Sequence, residues 1–391
     1  MAPHSDEEKD ALLSKVCQVL SGTPYACSSL VQLTNGTTNF VFRGELAKPF
    51  FDVVTGKTAS TVIVKHSLEH AALNKNLPID VSRALYEASM LDVLNDLPSG
   101  ISRIKAPRLH LFIGDTNLQV LEDFPTTADL KSLFVSPNAN GILTPPLAAS
   151  IGHDIGSWLR SFHDWSTSPN GRLKDIGDNE PMRKLKYAVT YDAYLKVLEN
   201  HFPDLLEGHR PLLEQVRNAA TKEFRKVSED QDEGNSWGLI HGDFWTGNVL
   251  LQCDMSSPDT QHPGGIKLFI VDWEFAQFGH RAYDIGQMIG DIYERWHFTE
   301  AEGAVPAIEG FIKGYGRLDN CDFAFRVAIH AGVHLICWYI RRVPTAPLGF
   351  PLERVIDAMI TGRDWILKGW QKDGKYFKST PLALLFEDEE I

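Results

Sequence analysis

Short runs rich in Val, Ile, Leu and Phe, separated by turn residues, dominate the first third of the chain, and such runs predict β-strands. The predicted strands cover residues 30–33, 40–43, 60–66, 107–113 and 117–121. Residues 6–21 and 78–97 instead have apolar positions at helical spacing and predict two helices. Residues 47–59 are interpreted as a loop or an outer hairpin.

The apolar pattern changes after residue 126, where helical spacing predominates. The predicted helices cover 147–164, 182–201, 209–228, 283–295, 299–316, 321–342 and 351–370. Pro125 ends the last early strand, because proline has no N–H for a strand ladder. The pattern therefore predicts an α+β, two-lobed fold: a first lobe over 1–121 with an antiparallel five-stranded sheet and a helix, a hinge at 122–125, and a mainly helical lobe over 126–391.

Two apolar runs at 249–252 and 266–271 carry polar residues at one end. Asn248 precedes the first run and Asp272 follows the second, although the two residues are 24 positions apart. The polar linker 253–265 contains Pro and Gly and predicts an antiparallel pair, in which these two ends lie side by side. Because Mg²⁺ prefers hard oxygen ligands, we expect Asn248 and Asp272 to share one ion with substrate phosphates.

This arrangement suits phosphoryl transfer, where the protein mainly positions groups and neutralises charge. We expect Asp243, on the loop that leads to Asn248, to orient a substrate hydroxyl and accept its proton. Glu274, two positions after Asp272, is a candidate for a second metal or its waters. Taken singly, each residue also has a plain interpretation as a turn or strand-end residue.

A nucleotide would need partners in the first lobe. Lys65 ends a predicted strand and could bind the α- and β-phosphates of ATP, steadied by Glu87 on the following helix. The alternatives are a solvated edge lysine and an exposed helix glutamate. The turn at 34–39, which ends at Asn39, could bring backbone N–H groups to a phosphate, or could be an ordinary hairpin turn.

Composition narrows the possible partners. The net charge of −13 argues against non-specific binding to nucleic acid or anionic membranes. The five cysteines form no CxxC pair, which favours a reducing compartment. The polar, acidic start is not typical of a signal peptide, and no apolar run approaches the ~20 residues of a membrane span. We therefore expect a cytoplasmic protein.

The sequence HGDFWTGN at 241–248 and IVDWE at 270–274 resemble the catalytic and metal motifs of the aminoglycoside phosphotransferase / choline kinase superfamily, a small-molecule branch of the protein-kinase fold. The resemblance extends over about residues 25–370. NGTTNFVFR at 35–43, LED at 121–123 and the pair Arg341-Arg342 are similar to methylthioribose kinases. DFWTGNVLLQ at 243–252, DWE at 272–274 and VKH at 64–66 are similar to fungal kinases such as the hydroxytryptamine kinase of psilocybin biosynthesis.

The resemblance implies that ATP binds between a nucleotide-binding first lobe and a catalytic, acceptor-binding second lobe. Adenine is then expected to bond to backbone near Glu122 and Phe124. The family's catalytic aspartate corresponds to Asp243, and its metal ligands to Asn248 and Asp272. Its phosphate lysine and helix glutamate correspond to Lys65 and Glu87, and Asp284 is expected to anchor the catalytic loop.

The acceptor is expected to lie between Asp243 and the late helices. The candidate acceptor residues are Trp245, Asp291, Glu294, Trp338, Arg341 and Arg342. The alternatives are that Trp338 belongs to the core and that Arg341 pairs with an acid elsewhere. The chain has no GxGxxG loop, has HGD instead of HRD and DWE instead of DFG, and lacks APE, so neither a phosphorylation switch nor a protein substrate is expected.

Three functions fit the motifs to different degrees. An ATP- and Mg²⁺-dependent kinase acting on a small-molecule hydroxyl accounts for all of them. A nucleotide-binding pseudokinase or scaffold is the alternative, although no expected catalytic position is missing. A metal hydrolase using His241, Asp243 and Asp272 would leave Lys65 and Glu87 unexplained.

Overall fold

The computed structural model describes residues 4–33, 36–52, 56–97, 103–167, 171–225, 236–252, 266–342 and 346–387. The chain divides into two compact units, one of residues 1–96 and 106–125 and one of residues 97–105 and 126–391. The predicted linker 253–265 lies outside the described residues. The lobe and hinge roles assigned to 1–121, 122–125 and 126–391 stay predictions.

The helices and strands are numbered in chain order. The strands are β1 Cys27–Leu33, β2 Phe40–Asp52, β3 Lys57–His66, β4 His70–Ala71, β5 Asn74–Pro78, β6 Ile104–Lys105, β7 Leu109–Ile113, β8 Leu118–Glu122, β9 Thr127–Asp129, β10 Trp237–Ile240, β11 Val249–Gln252, β12 Leu268–Ile270 and β13 Gln277–His280. The helices are α1 Asp6–Ser21, α2 Arg83–Leu94, α3 Leu130–Phe134, α4 Ala139–Ile142, α5 Pro145–Trp165, α6 Gly171–Gly177, α7 Glu180–Val189, α8 Tyr191–His201, α9 Arg210–Glu223, α10 Ala282–Thr299, α11 Ala304–Tyr315, α12 Cys321–Arg341, α13 Leu352–Trp370 and α14 Gly374–Phe377.

The first unit contains an antiparallel five-stranded sheet in the order β1-β2-β3-β8-β7. Phe42, Val64 and Val120 from three of these strands are buried in one hydrophobic cluster together with Leu20 of α1. Helix α1 begins with a capping box in which Ser5 and Glu8 bond reciprocally, satisfying N–H groups that a helix start leaves unpaired. The predicted sheet and its helix are confirmed.

The described part of 47–59, which leaves out 53–55, forms the outer hairpin and not the loop. Strand β2 continues to Asp52 and β3 begins at Lys57, with Phe50 paired to Ala59 after an irregularity in register. The helix predicted over 78–97 is shorter, because its first residue, Pro78, pairs with His70 at the end of β5 and Asp80 then accepts a hydrogen bond from the Ser82 N–H at 2.9 Å. Such a side-chain turn offers the backbone an alternative to helix.

Helices α5 and α11 of the second unit make unusually close contact. Gly152 and Gly156 of α5 face the backbone of α11, and Gly310 and Gly314 of α11 face the backbone of α5, so that a Cβ at any of them would collide with a carbonyl oxygen. These glycines lie four residues apart on each helix, on one face. The small residues therefore let two backbones meet directly.

Helix α12 has the length and apolar composition of a membrane span. About 78% of its most apolar window is buried inside the second unit, however, and it packs against α10 and α13. Buried helices of large soluble domains are apolar on all sides for the same reason. The helix is therefore a core element of this unit.

The helix predicted over 182–201 is two helices. The backbone at Thr190 leaves the helical region, with φ −120° and ψ −87°, and separates α7 from α8. The Thr190 hydroxyl donates to the Lys186 carbonyl oxygen at 2.6 Å, a side-chain bond that competes with the regular helix pattern. The break at Thr190 sets the orientation of α7 relative to α8, and with it the direction in which the side chains of α7 point.

A four-stranded sheet in the order β6-β12-β11-β9 and the pair β10-β13 form the platform of the site in the second unit. Strand β6 pairs in parallel with β12 and therefore belongs to this unit, although the sequence division placed residues 104–105 in the first lobe. A two-residue strand has too weak a pattern to predict its partner from the sequence.

Candidate active site

The loop that follows β10 is tied to helix α10 by one buried carboxylate. Asp284 accepts hydrogen bonds from the backbone N–H groups of His241 at 2.8 Å and Gly242 at 2.9 Å. His163 also bonds to Asp284, at 3.2 Å. Although burial opposes it, these bonds hold the pKa of Asp284 below its usual range. The expected anchoring role of Asp284 is confirmed.

His241 is a neutral structural histidine in this loop. Its Nδ1 accepts from the Asp243 N–H at 3.2 Å, so the proton lies on Nε2, which donates to the Val271 carbonyl oxygen at 3.0 Å. Burial lowers the pKa of His241 and keeps the ring uncharged. The imidazole therefore links the catalytic loop to the strand end before Asp272.

Gly242 is required by the backbone. Its φ is +79°, in the left-handed region, and a Cβ would collide with the Phe275 carbonyl oxygen. Only glycine satisfies both conditions, which explains the glycine between His241 and Asp243.

Asp243 is half-buried and held from both sides by side-chain amides. Gln287 Nε2 donates to Oδ1 at 2.6 Å. Asn248 Nδ2 donates to Oδ2 at 3.2 Å and to the Asp243 carbonyl oxygen at 2.9 Å. The carboxylate is therefore fixed in direction by neutral amides, and no lysine or arginine in the described part of the chain forms an ion pair with it. This arrangement suits a base that must receive a proton.

Asn248 and Asp272 lie side by side, as predicted from the hairpin argument. Strands β11 and β12 pair Val249 with Ile270, and the Val271 N–H donates to the Asn248 carbonyl oxygen at 3.0 Å. Since Asn248 turns its amide nitrogen to Asp243, its amide oxygen is the atom left for a metal. Together with the Asp272 carboxylate this is a hard-oxygen donor set, the kind that Mg²⁺ takes.

The backbone at Asp272 has φ 63° and ψ 62°, a left-handed conformation that non-glycine residues rarely adopt. Such conformations cluster at functional sites, where surrounding structure holds them. Glu274 follows in a short turn, is buried, and its carbonyl oxygen accepts from Asn179 at 2.9 Å. These contacts fix the turn in which Asp272 and Glu274 lie.

Aromatic rings support the site from behind. Trp273 packs edge-on against Phe162 and Trp158, and its ring centre is 4.4 Å from that of His241. Phe244 stacks on Trp158. The catalytic loop therefore rests on a packed core, which holds functional side chains more firmly than a free loop would.

In the first unit, Lys65 of β3 and Glu87 of α2 form an ion pair at 2.8 Å. Their side chains are only 3% and 2% exposed, so the solvated alternatives for both residues are wrong. Gln119 of β8 donates to the Ala84 carbonyl oxygen at 2.8 Å and holds α2 against the sheet. The predicted partnership of Lys65 and Glu87 is confirmed, while their role in nucleotide binding stays a prediction.

Asn39 is engaged through its side chain. Its Oδ1 accepts from Ser67 at 2.8 Å and from two nitrogens of buried Arg83 at 3.2 and 2.9 Å. Arg83 also donates to the Asp80 carbonyl oxygen at 2.9 Å. The side chain of Asn39 therefore fixes the end of the 34–39 turn, of which residues 34–35 lie outside the described part.

Glu122 and Phe124 lie at and after the end of β8. The Glu122 N–H donates to the Arg108 carbonyl oxygen at 2.9 Å, and Phe124 is buried. Between them, Asp123 receives a bidentate pair of bonds from Arg43 at 3.0 and 3.1 Å. This segment is thus held to the sheet, and its adenine contacts stay predictions.

Three of the predicted acceptor residues meet in one charged cluster in the second unit. Thr246 and Arg295 both donate to the Asp291 carboxylate, and Arg341 and Arg295 both donate to Glu294. Arg341 therefore pairs with an acid that is itself a candidate acceptor residue, and its contact with an acceptor stays a prediction. We call this set, completed by His334, the Glu294 cluster.

The Glu294 cluster also brings a histidine close to two carboxylates. His334 Nε2 lies 3.4 Å from Glu294 and 3.7 Å from Asp291, and these three residues have the geometry of possible metal ligands. The two guanidinium groups already neutralise both acids, however. Burial lowers the pKa of His334, so the ring adds no charge, and the cluster is balanced without an ion.

Trp245 lies on the catalytic loop itself. The Lys131 ammonium is 5.1 Å from its ring centre, within cation–π range. The indole folds over Gly247, where a Cβ would collide with it. Trp245 therefore presents an aromatic surface two residues from Asp243.

Trp338 and Arg342 do not join the Glu294 cluster. Trp338 stacks on Phe298 with ring centres 4.3 Å apart. Arg342 lies over the Tyr339 ring at 4.4 Å and donates to the Ala346 carbonyl oxygen at 3.1 Å. The adjacent candidates Arg341 and Arg342 therefore have different surroundings.

Sequence reasoning missed Gln287 and its partner Lys186, which donates to the Gln287 amide oxygen. One signal was available. On α10 the polar residues Asp284, Gln287, Asp291 and Glu294 recur at intervals of three and four within an otherwise apolar helix. All four are buried, so this polar stripe marks the face of α10 that serves the site.

Comparison with known proteins agrees with this geometry. The sequence model described as "Phosphotransferase enzyme family" matches residues 55–324, more than half of the chain. Phosphotransferase FrzJ from Cladobotryum sp is 29% identical over 398 residues, which cover 98% of each chain. The 4-hydroxytryptamine kinase of Psilocybe cyanescens is 24% identical over 84% of this chain and 85% of its own.

Bacterial proteins are similar as well. A methylthioribose kinase from Geobacillus sp. (strain WCH70) is 25% identical over 69% of this chain and 60% of its own. Among solved structures, a choline/ethanolamine kinase family protein from Mesorhizobium loti superposes with a TM-score of 0.50 over 95% of this chain and 98% of that one, at 15% identity. This likeness supports a shared fold.

Proposed function

Because the chain belongs to the phosphotransferase enzyme family and is a small-molecule kinase, we propose that it transfers the γ-phosphate of ATP to a hydroxyl group of a metabolite with Asp243 as catalytic base. The observation that carries this proposal is the setting of Asp243. Its carboxylate is held by Gln287 and Asn248, and Asn248 lies beside the strand end that carries Asp272.

Proton transfer, phosphate binding and metal binding are each assigned to particular residues. Asp243 orients the acceptor hydroxyl and takes its proton as the oxygen attacks the γ-phosphorus. Lys65, fixed by Glu87, binds the α- and β-phosphates. Asn248 and Asp272 would hold Mg²⁺, which neutralises phosphate charge in reactions of this class. Glu274 is a candidate for a second metal or its waters.

The acceptor is proposed to be a small metabolite that lies against the aromatic face of Trp245 and near the Glu294 cluster. The curated relatives include kinases of 4-hydroxytryptamine and of methylthioribose, two different acceptor classes. Arg341 is the member of the cluster with an exposed fraction large enough, 36%, to contact an acceptor. A cytoplasmic location, and the absence of nucleic-acid, membrane and protein partners, stay predictions.

A panel assay tests the proposal. Purified protein is incubated with Mg-ATP and 4-hydroxytryptamine, methylthioribose, choline or an aminoglycoside, and ADP and phosphorylated product are measured by mass spectrometry. We expect one acceptor class to react, and Asp243→Asn to reduce turnover by about 10³-fold, as loss of a general base does. The variant is expected to keep the rise in melting temperature that ADP causes.

Three outcomes are distinguishable. Turnover near the unchanged rate in Asp243→Asn would remove Asp243 from the mechanism. Nucleotide binding without turnover on any acceptor would favour the pseudokinase alternative. Product formation without ATP would favour a hydrolase.

A further inference from the structure

Lys186 of α7 is a lysine in the interior of the second unit, with a residue exposure of 3%. Its ammonium group donates to the amide oxygen of Gln287 on α10. Among the residues that the structure describes, no carboxylate lies within ion-pair distance of it. Burial lowers the pKa of Lys186. Placing an ammonium group in a protein interior is costly, so a lysine bonded there to a neutral amide needs a reason.

The bond from Lys186 fixes the orientation of the Gln287 side-chain amide. An ammonium group has only donors, so the oxygen of the amide must face Lys186 and its NH₂ group must face Asp243. A free glutamine could rotate by half a turn and present its oxygen to Asp243 once that carboxylate is protonated. Lys186 prevents this rotation in both protonation states of Asp243.

The fixed orientation of the Gln287 amide makes the two carboxylate oxygens of Asp243 unequal. Gln287 occupies Oδ1 at 2.6 Å, a short bond to a carboxylate. Asn248 approaches Oδ2 only at 3.2 Å, because its nitrogen also serves the Asp243 carbonyl oxygen at 2.9 Å. The short bond stabilises negative charge on Oδ1, so Oδ2 is the more weakly bonded oxygen and the better site for an incoming proton.

We propose that Lys186 is a positioning residue which, through Gln287, keeps the short hydrogen bond on Oδ1 of Asp243 and so leaves the more weakly bonded Oδ2 to receive the acceptor's proton. In the step, the acceptor O–H bond breaks and an Oδ2–H bond forms. The acceptor oxygen bonds to the γ-phosphorus while the bond from that phosphorus to the ADP oxygen breaks. The inference rests on the proposed role of Asp243 and adds Lys186 and Gln287 to it.

The test uses Lys186→Met, Gln287→Leu and the double variant, with turnover and melting temperature measured for each. The acceptor is the panel compound that the unchanged protein phosphorylates fastest, or water, measured as phosphate release from Mg-ATP, if none reacts. Lys184→Met is the matched control, because Lys184 lies on the same helix, is exposed and pairs with Glu180 at 2.7 Å. We expect this control to behave as the unchanged protein.

We expect the double variant to recover its melting temperature without recovering kcat. Gln287→Leu should lower kcat by about 100-fold, since misplacing a reacting group has effects of this size. Lys186→Met should lower kcat by about 10-fold, with little change in the KM for ATP. Each single variant leaves a buried polar group unpaired and should lower the melting temperature, whereas removing both partners should largely restore it. The kcat of the double variant should stay at the level of Gln287→Leu.

Several results would overturn the inference while leaving Asp243 as the base. One is a kcat of Lys186→Met equal to that of the Lys184→Met control. Another is a double variant whose kcat falls by the product of the two single losses. Residues that act through one another are expected to show a smaller loss than this product. A third is recovery of kcat together with melting temperature, which would make the pair purely structural. If Lys186→Met does not fold, the double variant still decides between these outcomes. Undiminished turnover in Asp243→Asn would instead refute the proposed function.

Discussion

Asn248 is bonded twice to Asp243, through its carboxylate at 3.2 Å and its backbone carbonyl oxygen at 2.9 Å. Both bonds use the same amide nitrogen, so the side chain that is proposed to bind the metal also holds the proposed base. This relationship allows the two roles of Asn248 to be separated by substitution.

Asn248→Asp keeps an oxygen for a metal but removes the N–H donor and adds a negative charge beside Asp243. We expect kcat to fall by about 100-fold, while the Mg²⁺ concentration for half-maximal rate stays the same or decreases. Asn248→Ala should instead raise that Mg²⁺ concentration. The measurement is a Mg²⁺ titration of initial rates after treatment with a chelator. An unchanged Mg²⁺ requirement in Asn248→Ala would show that Asn248 is not a ligand.

Asp284→Asn should loosen the catalytic loop. The asparagine amide offers one oxygen where Asp284 now accepts bonds from His163, His241 and Gly242. We expect a loss of about 1–3 kcal/mol in the free energy of unfolding, measured by urea denaturation, and a reduced kcat. Asp322→Asn is the control, because Asp322 is an exposed acid that pairs with Lys372 on the surface. Equal effects of the two substitutions would contradict the anchoring role.

Lys65→Met should weaken nucleotide binding. It removes the proposed phosphate contact and leaves the Glu87 carboxylate buried without its cation, a change that costs about 3–5 kcal/mol for buried pairs. We expect a higher KM for ATP and a smaller thermal shift with ADP, beyond the loss of stability. The double variant Lys65→Met, Glu87→Leu should recover stability but not nucleotide affinity. Lys57→Met, at the exposed start of the same strand, serves as the control.

Arg341→Met should raise the KM for the acceptor more than it changes the KM for ATP. Arg341 reaches Glu294 in the cluster beside the catalytic loop, while Arg342 lies over Tyr339. Arg342→Met is therefore the matched control and should leave both constants unchanged. Because the buried Glu294 loses one of its two cationic partners, Arg341→Met should also lower the free energy of unfolding, which urea denaturation measures separately. An equal effect of both substitutions on the acceptor would place the acceptor away from the Glu294 cluster.

Stability should fall on acidification from about pH 6.5, the ordinary pKa of histidine, because burial lowers the pKa of His330. The unfolded chain takes up a proton that the folded His330 does not, so stability is present above pH 6.5 and lost below it. The expected contribution is about 1.4 kcal/mol per pH unit. Urea denaturation at pH 7.5 and 5.5 should show a smaller decrease for His330→Phe than for the unchanged protein. Equal decreases would show that His330 is charged when folded.

The sequence by itself determined the fold class and the family, and it predicted residues for the site. Strand patterns and turn residues are local, so the five-stranded sheet and the pairing of β11 with β12 could be predicted, and that pairing brings Asn248 beside the Asp272 strand end. The motifs at 241–248 and 270–274 predicted membership of the phosphotransferase family, which is confirmed. The pairing of Lys65 with Glu87 followed from the same resemblance.

Only the tertiary structure decided what surrounds Asp243. Lys186 and Gln287 are 101 positions apart and meet because Thr190 breaks the predicted helix and α7 packs near α10. In the sequence Lys186 looks like any surface lysine of a helix, since burial depends on the rotation of that helix against its neighbours. Arg341 and Arg342 are adjacent in sequence but have different partners, because α12 ends at Arg341 and the backbone of Arg342 is extended, with φ −75° and ψ 162°.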